Sequence, residues 1–311
     1  MATKKRKGMD LASIKNAISE INKEYGEDTV ILAKNLPPVE FMSTGIPDLD
    51  KILGGGMPIG KVTMIYGPEG AGKTSFAFHM LSQYLKQNPL AVYVNAERAL
   101  TEDRAKQFGI DSSKLIVVNP ETGEQALSAA MKFAKEGVPF IVVDSVAALV
   151  PKKEFELESN TEKTAGISMT AGLLSRKIFG LNNLCDDYGS TVLFINQERD
   201  NMNAMAFGPQ THTPGGRALR HACHVILSVK RKEAIRVAGQ QVGMIVRFNT
   251  GIKNRSASPY QEAEAPFIFD EGKFVSHENM TAEAKAARKR YIEANKNNLK
   301  QIAGYSEGEE E

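Results

Sequence analysis

The sequence is short of cysteine and of long apolar runs, and both shortages exclude classes of protein. Its two cysteines, Cys185 and Cys223, are too far apart for a close-spaced metal or redox motif. This usage indicates a protein that keeps its thiols reduced, as cytosolic proteins do. No apolar run approaches the ~20 residues that a membrane-spanning helix needs, and the basic stretch Lys4-Lys5-Arg6-Lys7 precedes no signal-type apolar segment. We therefore expect a soluble protein.

An excess of one charge and an abundance of histidine are also missing. The net charge is only +2 over 311 residues, so any site for a polyanion must be local. Cys223 lies between His221 and His224, but a fourth ligand at a suitable spacing is missing, so we favour packing over a metal site there. The hydrophobic content of 42% suffices for one large core or two modest ones.

A glycine-rich loop carries the most specific signal in the chain. It follows the apolar run Val62–Tyr66 and precedes a helical pattern from Ser75 to Leu85. The loop comprises Gly67, Pro68, Glu69, Gly70, Ala71, Gly72, Lys73, Thr74 and Ser75. Its spacing matches G-x-x-x-x-G-K-[ST], in which backbone N–H groups surround phosphates, the lysine reaches the β- and γ-phosphates and the hydroxyl ligates Mg²⁺. We therefore predict a nucleoside triphosphate site, with a lysine-bearing glycine turn as the alternative.

The rest of the core alternates strand-like runs with helical patterns. The strand-like runs are Val62–Tyr66, Ala91–Asn95, Leu115–Val118, Phe140–Val143, Thr191–Ile195, Val225–Val229 and Met244–Phe248. Continuous apolar runs joined through helices predict an α/β fold with a mainly parallel, twisted sheet flanked by helices. Ligands of such sheets bind beyond the carboxyl ends of the strands.

Polar residues stand at the ends of three of these runs. Asp144 ends a buried run, which is the pattern of a carboxylate delivered to Mg²⁺. Glu97 ends another run and could deprotonate an attacking water, or could simply pair with Arg98 or a helix N-terminus. Gln197 follows a third run, where an amide could hydrogen-bond the γ-phosphate and report its presence.

Two irregular stretches are candidates for binding nucleic acid. Residues 198–214 carry Arg199, Met202 and Phe207, and Gly215-Gly216 close the stretch. Exposed apolar side chains beside arginine would suit a single strand, whereas packing into the core is the alternative. The other stretch, residues 158–167, precedes a helical pattern from Gly172 to Leu181. Arg176 could hold a phosphate there or belong to a solvated helix face.

Taken together and in order, these motifs resemble bacterial RecA-type recombinases. The recurring motifs are STG (43–45), LGGG (53–56), PIG (58–60), IYGPE (65–69), AE (96–97), TGEQAL (122–127), VVDSVAAL (142–149), FINQ (194–197) and GG (215–216). The resemblance runs from about Leu11 to about Phe274. It implies a RecA-like P-loop NTPase core at residues 37–275, preceded by a polymerisation arm at 1–36, with a helix plus a strand at Thr29–Leu32. Residues 276–311 read as a short basic helix and an acidic tail.

The resemblance also implies roles. Lys73 and Thr74 would bind ATP and Mg²⁺, Asp144 would serve the metal and Glu97 would be the base. Gln197 would sense the γ-phosphate, and Lys253 and Arg255 would reach the phosphates of a neighbouring subunit in a helical filament. The two irregular stretches would be the DNA loops. The implied partners are single- and double-stranded DNA, further copies of the chain, and single-strand-binding and mediator proteins.

Some residues depart from the family pattern. Arg104 stands where relatives carry an aromatic residue that stacks on adenine, although a guanidinium plane can also stack. Both DNA loops differ from the usual sequences, so we assign DNA contacts to Ser175 and Arg176 within the first region. The compact C-terminal part resembles viral recombinases. We expect a location in the bacterial cytoplasm, or in that of an infected cell for a phage-encoded protein.

The resulting prediction is an ATP-dependent strand-exchange protein with DNA-dependent ATPase activity. Two rival functions remain open from the sequence. One is a RecA-fold ATPase without strand exchange, such as a ring motor or a regulator. The other is a non-catalytic DNA-coating or mediator protein with a relic nucleotide site, against which intact Lys73 and Glu97 argue.

Overall fold

The computed structural model describes residues 10–27, 29–152, 165–200 and 211–294. The chain divides into two compact units, Met1–Val39 and Glu40–Glu311. No helix among these described residues is long and apolar enough to cross a membrane.

The first unit contains helix α1, Leu11–Tyr25. Asp10 caps the helix, because its carboxylate accepts the backbone N–H groups of Ala12 and Ser13 at 3.1 and 3.4 Å. None of the residues of α1 is buried, and Ile14 and Ile21, one above the other on the same face, stay 40% and 37% exposed.

The strand predicted at Thr29–Leu32 is wrong. The segment bends and leads into a 3₁₀ turn, Ala33–Asn35. A strand needs a neighbouring backbone to pair with, and no described segment pairs with this one. Instead the Asn22 side chain binds the N–H and the C=O of Val30 at 2.8 and 3.1 Å.

The second unit is built on a nine-stranded sheet. Its strands and those of two small ribbons are β1 (Phe41–Met42), β2 (Met57–Pro58), β3 (Val62–Gly67), β4 (Ala91–Asn95), β5 (Leu115–Val118), β6 (Phe140–Asp144), β7 (Thr191–Gln197), β8 (Arg199–Asp200), β9 (Thr211–His212), β10 (Val225–Val237), β11 (Gln240–Asn254), β12 (Glu262–Ile268) and β13 (Lys273–Phe274). The order in the large sheet is β13-β12-β11-β10-β3-β7-β6-β4-β5. Strands from β10 to β5 in this order run parallel, and β11, β12 and β13 extend the sheet antiparallel.

The predicted mainly parallel α/β sheet is therefore confirmed, and each of the seven runs predicted for the core lies in a strand. The prediction missed β12, because Pro266 and two glutamates interrupt its apolar pattern. It also underestimated the lengths of β10 and β11, which form a long antiparallel hairpin.

Helices cover both faces of the sheet. They are α2 (Pro47–Leu53), α3 (Lys73–Leu85), α4 (Glu102–Gln107), α5 (Gly123–Lys135), α6 (Ala165–Tyr188), α7 (Gly216–Ala222) and α8 (Met280–Ala294). One core lies under α2 and α3 and is rich in aromatic residues such as Phe76 and Phe248. The other lies under α5, α6 and α7 and contains Leu127 and Leu174. Fully burying one such side chain stabilises the fold by roughly 1.5–3 kcal/mol.

Helix α8 covers the β10–β11 hairpin through a smaller core. Ala284 and Ala287 of the helix pack with Ile235 and Ile245 of the hairpin. The predicted basic helix at Ala282–Lys300 is thus present from Met280 to Ala294. The predicted acidic tail, residues 306–311, lies outside the described residues.

The register of the parallel strands brings the predicted site residues to one edge of the sheet. Gly67 at the end of β3 pairs with Gln197 at the end of β7, and Asp144 at the end of β6 pairs with Ile195. Asn95, two residues before Glu97, pairs with Asp144. The carboxyl ends of β3, β4, β6 and β7 thus form the floor of one site.

Candidate nucleotide and DNA site

The glycine-rich loop joins β3 to α3 as its sequence predicts. Gly70 and Gly72 have φ of 70° and 96°, a left-handed conformation that favours glycine. A Cβ on Gly67 would lie 2.0 Å from the carbonyl oxygen of Val229, so no larger residue fits there. The helix follows directly, with the Phe76 N–H donating to Gly72 O at 2.8 Å. The loop therefore points backbone N–H groups and a helix N-terminus at one place.

Lys73 is buried at the start of α3 and closes over the loop. Its ammonium donates to the carbonyl oxygens of Gly67 and Pro68 at 2.9 and 2.7 Å. Burial lowers the pKa of Lys73, while the nearby carboxylates of Glu97 and Asp144 act to raise it. Glu69 and Ser75 line the same cavity as Lys73.

Asp144 is completely buried and accepts two hydroxyl donors. The hydroxyls of Tyr93 and Thr74 donate to its Oδ2 at 2.6 and 3.0 Å. Burial raises the pKa of Asp144 to about 6, against the effect of the Tyr93 hydrogen bond. Its Oδ1 is buried and has no hydrogen-bond partner among the described residues. A hydroxyl and a carboxylate side by side are the hard oxygen ligands that Mg²⁺ takes.

Glu97 is joined to Gln197 and Ser145. Gln197 Nε2 donates to Glu97 Oε1 at 2.8 Å, and the Ser145 hydroxyl donates to the same oxygen. The predicted base and the predicted γ-phosphate sensor are therefore in direct contact. Glu97 pairs with these donors, and not with Arg98, whose guanidinium points to the carbonyl oxygen of Pro120 at 3.5 Å.

A cavity of about 380 Å³ extends from this loop to the end of α4. Arg104 lines it, and the guanidinium carbon of Arg104 lies 5.2 Å from the ring centre of Phe78 and 6.0 Å from that of Phe108. The positive charge of Arg104 thus lies over two aromatic rings, which are attracted to a cation. Arg104 therefore lines the same cavity as Lys73, and its contact with a nucleotide base stays a prediction.

Lys253 and Arg255 lie at the opposite end of the parallel strands, near the amino ends of β3 and β10. Lys253 pairs with Ile226 near the start of β10, and Val225 beside it pairs with Thr63 at the start of β3. From Thr63 to Gly67 the strand advances by about 13 Å, so these cations lie far from the phosphate loop of their own chain. Lys253 Nζ instead donates to the carbonyl oxygens of Arg220 and His221 at the end of α7, at 3.1 and 2.8 Å.

The predicted DNA-contacting residues are spread over several elements. Ser175 and Arg176 are exposed on α6, where their side chains donate to Ala171 O and Gly172 O at 2.8 and 3.2 Å. Arg199 is exposed at the start of the second loop. Met202 and Phe207 lie outside the described residues, and so do residues 158–164 of the first region.

Gly215 and Gly216 close the second loop and begin α7. Both have positive φ, 93° and 69°. Gly215 is buried, and a Cβ there would lie 3.0 Å from Leu174 and Leu219. Backbone conformation and packing therefore account for these glycines, and their contact with DNA stays a prediction.

Cys223 is buried, whereas His221 is exposed and His224 is partly buried. Cys223 lies in the core, and burial raises the pKa of its thiol to about 12. Burial also lowers the pKa of His224 to about 4, with the positive charge of Lys61 acting in the same direction. The described residues contain no group of three or more His, Cys, Asp or Glu that could hold a metal ion.

Sequence reasoning missed Tyr93, Ser145 and the role of Asn196. Tyr93 stands within an apolar run and reads as a core residue, since nothing in the sequence shows that its hydroxyl meets Asp144. Asn196 is buried, and its amide donates to the carbonyl oxygen of Pro214 at 2.8 Å. It thereby ties the end of β7 to the end of the second loop.

Known proteins of one family are similar to this chain in sequence. The family model for the RecA N-terminal domain matches residues 12–274. Protein RecA of Thermus aquaticus is 40% identical over 265 residues, which cover 84% of this chain and 76% of that protein. Protein RecA of a Nitratiruptor species is 37% identical over 276 residues, which cover 88% of this chain and 78% of that protein. The chain therefore belongs to the RecA family of ATP-dependent recombinases, which are DNA-dependent ATPases.

Proposed function

We propose that this chain binds ATP and Mg²⁺ at the phosphate loop and hydrolyses ATP at the interface between two copies of itself. The observation that carries the proposal is the convergence of Lys73, Thr74, Asp144, Glu97 and Gln197 on one sheet edge. Such an edge, beyond the carboxyl ends of parallel strands, is where ligands of open α/β sheets bind. The cavity beside Arg104 gives room for the adenine ring of ATP.

Thr74 and Asp144 are the residues proposed to hold Mg²⁺, directly or through water. Support comes from their adjacent oxygens and from the buried Oδ1 of Asp144, which has no partner among the described residues. When bound, Mg²⁺ would neutralise negative charge on the β- and γ-phosphate oxygens.

Glu97 is the proposed base, and Gln197 the proposed sensor. Glu97 would orient and deprotonate the attacking water, while Lys73 would bind the phosphate oxygens. Gln197 would turn from Glu97 to the γ-phosphate. This movement would change the conformation at the end of β7 and in the loop that follows it. Loss of the γ-phosphate would reverse this change and loosen the filament.

Lys253 and Arg255 are proposed to act on the ATP of the adjacent subunit. Their position at the opposite end of the parallel strands supports action in trans, since they lie far from the loop of their own chain. A cation supplied across an interface stabilises charge in the transition state, so hydrolysis would require assembly. Residues 1–36 are the proposed polymerisation arm, and none of the residues of their helix α1 is buried.

DNA is proposed to lie along residues 158–167 and 198–214, with Ser175, Arg176 and Arg199 near its backbone. The protein would hold the backbone, while base pairing would find the homologous duplex. Single-strand-binding and mediator proteins are proposed partners, and the cytoplasm is the proposed location.

An ATPase assay with and without single-stranded DNA tests this proposal. We expect turnover that DNA stimulates and that falls steeply with salt, because backbone contacts release counterions. Electron microscopy with a non-hydrolysable ATP analogue should show helical filaments on the DNA. A Lys73→Ala protein that exchanged strands at the normal rate would contradict the proposed site, and ATP turnover without DNA stimulation would favour a RecA-fold motor or regulator.

A further inference from the structure

We infer that Ser145 is a positioning residue for ATP hydrolysis, because its hydroxyl holds Glu97 in one orientation. The inference rests on the proposed role of Glu97 as the base. Ser145 directly follows Asp144 at the end of β6, and it is completely buried. Its side chain therefore has little freedom to move between partners.

The Ser145 hydroxyl departs from the usual behaviour of a serine at this kind of position. Ser145 precedes a 3₁₀ turn, Val146–Ala148, and its carbonyl oxygen accepts the Ala148 N–H at 3.1 Å. A serine at such an N-cap commonly accepts a backbone N–H of the turn through its side chain. Here the side chain makes no capping hydrogen bond and donates to Glu97 instead. The Ser145 hydroxyl therefore binds the carboxylate of Glu97 and does not cap the turn.

The Glu97 backbone is fixed, but its side chain needs the hydrogen bonds. The Glu97 N–H donates to Asp144 O at 3.0 Å, and the Arg98 N–H closes the turn to Asn95 O at 3.2 Å. The Glu97 side chain is exposed beyond this turn. A long exposed side chain loses rotamer entropy when it is held in one geometry, so specific donors must hold it.

Both donors bind the same carboxylate oxygen. Ser145 and Gln197 donate to Oε1, whereas Oε2 accepts no hydrogen bond from any residue that the structure describes. This pattern reserves Oε2 for the attacking water. When Gln197 turns to the γ-phosphate, Ser145 remains as the donor that keeps Glu97 in place.

Ser145 also couples the metal side of the site to the base. Asp144 and Ser145 are consecutive, so the carboxylate beside Thr74 and the hydroxyl on Glu97 belong to one short segment. A displacement of this segment would move both groups together.

Steady-state kinetics of the Ser145→Ala protein with single-stranded DNA tests this inference. We expect kcat to fall about tenfold or more, with KM for ATP and the Kd of a fluorescent ATP analogue changed less than about twofold. Filament assembly with a non-hydrolysable analogue should be normal, since assembly needs binding alone. Ser145→Cys keeps the size of the side chain but supplies a weak donor, so it should be similarly slow.

A double substitution distinguishes positioning from general damage. Because Ser145 acts through Glu97, adding Ser145→Ala to Glu97→Ala should change the residual turnover less than about twofold. A further loss equal to that of Ser145→Ala alone, or a Ser145→Ala kcat equal to wild type, would overturn the inference and leave the proposed function standing. Absence of DNA-stimulated turnover in the wild-type protein would instead overturn the proposed function and this inference with it.

Discussion

The ionisation of Asp144 depends on the two hydroxyl groups that donate to its carboxylate. It is buried with Tyr93 and Thr74 on one oxygen, and the pKa of its carboxyl rises to about 6 because of this burial. Hydrogen bonds to a carboxylate favour its ionised form. The Tyr93 hydroxyl therefore helps to keep Asp144 able to serve a cation.

The Tyr93→Phe substitution removes that hydroxyl and little else. We expect the Mg²⁺ concentration for half-maximal ATPase activity to rise about tenfold or more, because a hydrogen bond to a charged group is worth about 1.5–3 kcal/mol. At saturating Mg²⁺ the KM for ATP should change little. Titrating the activity with Mg²⁺ checks this, with Tyr84→Phe as a control, since Tyr84 packs on Phe140 elsewhere in the core. Equal Mg²⁺ dependence in wild type and Tyr93→Phe would contradict it.

His79 should make the fold sensitive to acid. It is buried against the carbonyl oxygen of Thr44 at 3.0 Å, and burial lowers its pKa to about 4. The unfolded chain takes up this proton near pH 6.5, so the stability that neutral His79 provides is lost as pH falls from about 6.5 to about 4. The raised pKa of Asp144 acts in the opposite direction, since the folded state then holds the extra proton.

Thermal unfolding between pH 4 and 7 measures the contribution of His79. We expect the unfolding temperature of the wild type to fall toward pH 4, and that of His79→Gln to fall less steeply, although Gln should lower stability at pH 7. His277→Gln is the matched control, because His277 is exposed. Parallel curves for wild type and His79→Gln would show that His79 has the same pKa in the folded and the unfolded chain, and would contradict this prediction.

At the scale of elements, Asn196 links β7 to the second loop. The Asn196 Oδ1 accepts the Gln197 N–H at 2.9 Å, while its amide nitrogen donates to Pro214 O. Strand β7 and the far end of the loop are thus joined by one buried side chain. A change in the conformation of Gln197 can therefore be passed through Asn196 to the residues that precede Gly215.

Asn196→Asp tests this path, since aspartate keeps the acceptor but loses the donor to Pro214. We expect the stimulation of ATPase activity by DNA to fall about tenfold, while DNA-independent turnover stays within about twofold. Both substitutions should also lower the free energy of unfolding. Asn196→Ala loses both contacts, at a cost of about 1–3 kcal/mol, and Asn196→Asp buries a carboxylate against the Pro214 carbonyl oxygen. Full DNA stimulation in the Asn196→Asp protein would contradict a coupling role for the Pro214 contact.

Helix α1 should contribute to assembly and not to the stability of a single chain. None of its residues is buried, and Ile14 and Ile21 share one exposed face. We expect Ile14→Glu and Ile21→Glu to leave the thermal unfolding of the monomer unchanged and to reduce filament formation at least tenfold, because a charge would have to be buried at the interface. Light scattering and electron microscopy measure this. Lys15→Glu, on a different face of the helix, is the control; equal loss there would argue against a specific apolar contact.

At the scale of the whole molecule, the proposed active site has two halves, the phosphate loop and the pair Lys253 and Arg255. They lie at opposite ends of the parallel strands of one sheet. Mixing two inactive proteins tests whether they meet between subunits. Subunits with Lys73→Ala keep Lys253 and Arg255, and subunits with Lys253→Ala and Arg255→Ala keep the phosphate loop. In randomly mixed filaments about a quarter of interfaces would combine both intact halves, so ATPase activity should return to about that fraction of wild type. No recovery in filaments shown to be mixed would contradict action in trans.

The local sequence predicted the strands, the phosphate loop and the positions of Asp144 and Glu97, because each depends on a run of neighbouring residues. Apolar continuity gave the parallel strands, and glycine spacing gave the loop between β3 and α3. The strand at Thr29–Leu32 was wrong, since strand formation depends on a partner that its own residues cannot specify. Strand β12 was missed because its pairing with β11 outweighs the unfavourable local preference of Pro266.

The sequence by itself determined the α/β class, the nucleotide chemistry and membership of the family, because all three reside in short ordered motifs. Only the tertiary structure decided which side chains meet across strands. The contacts of Tyr93 with Asp144, of Ser145 and Gln197 with Glu97, and of Asn196 with Pro214 join residues far apart in the chain. Only the sheet order and register bring such residues within hydrogen-bonding distance.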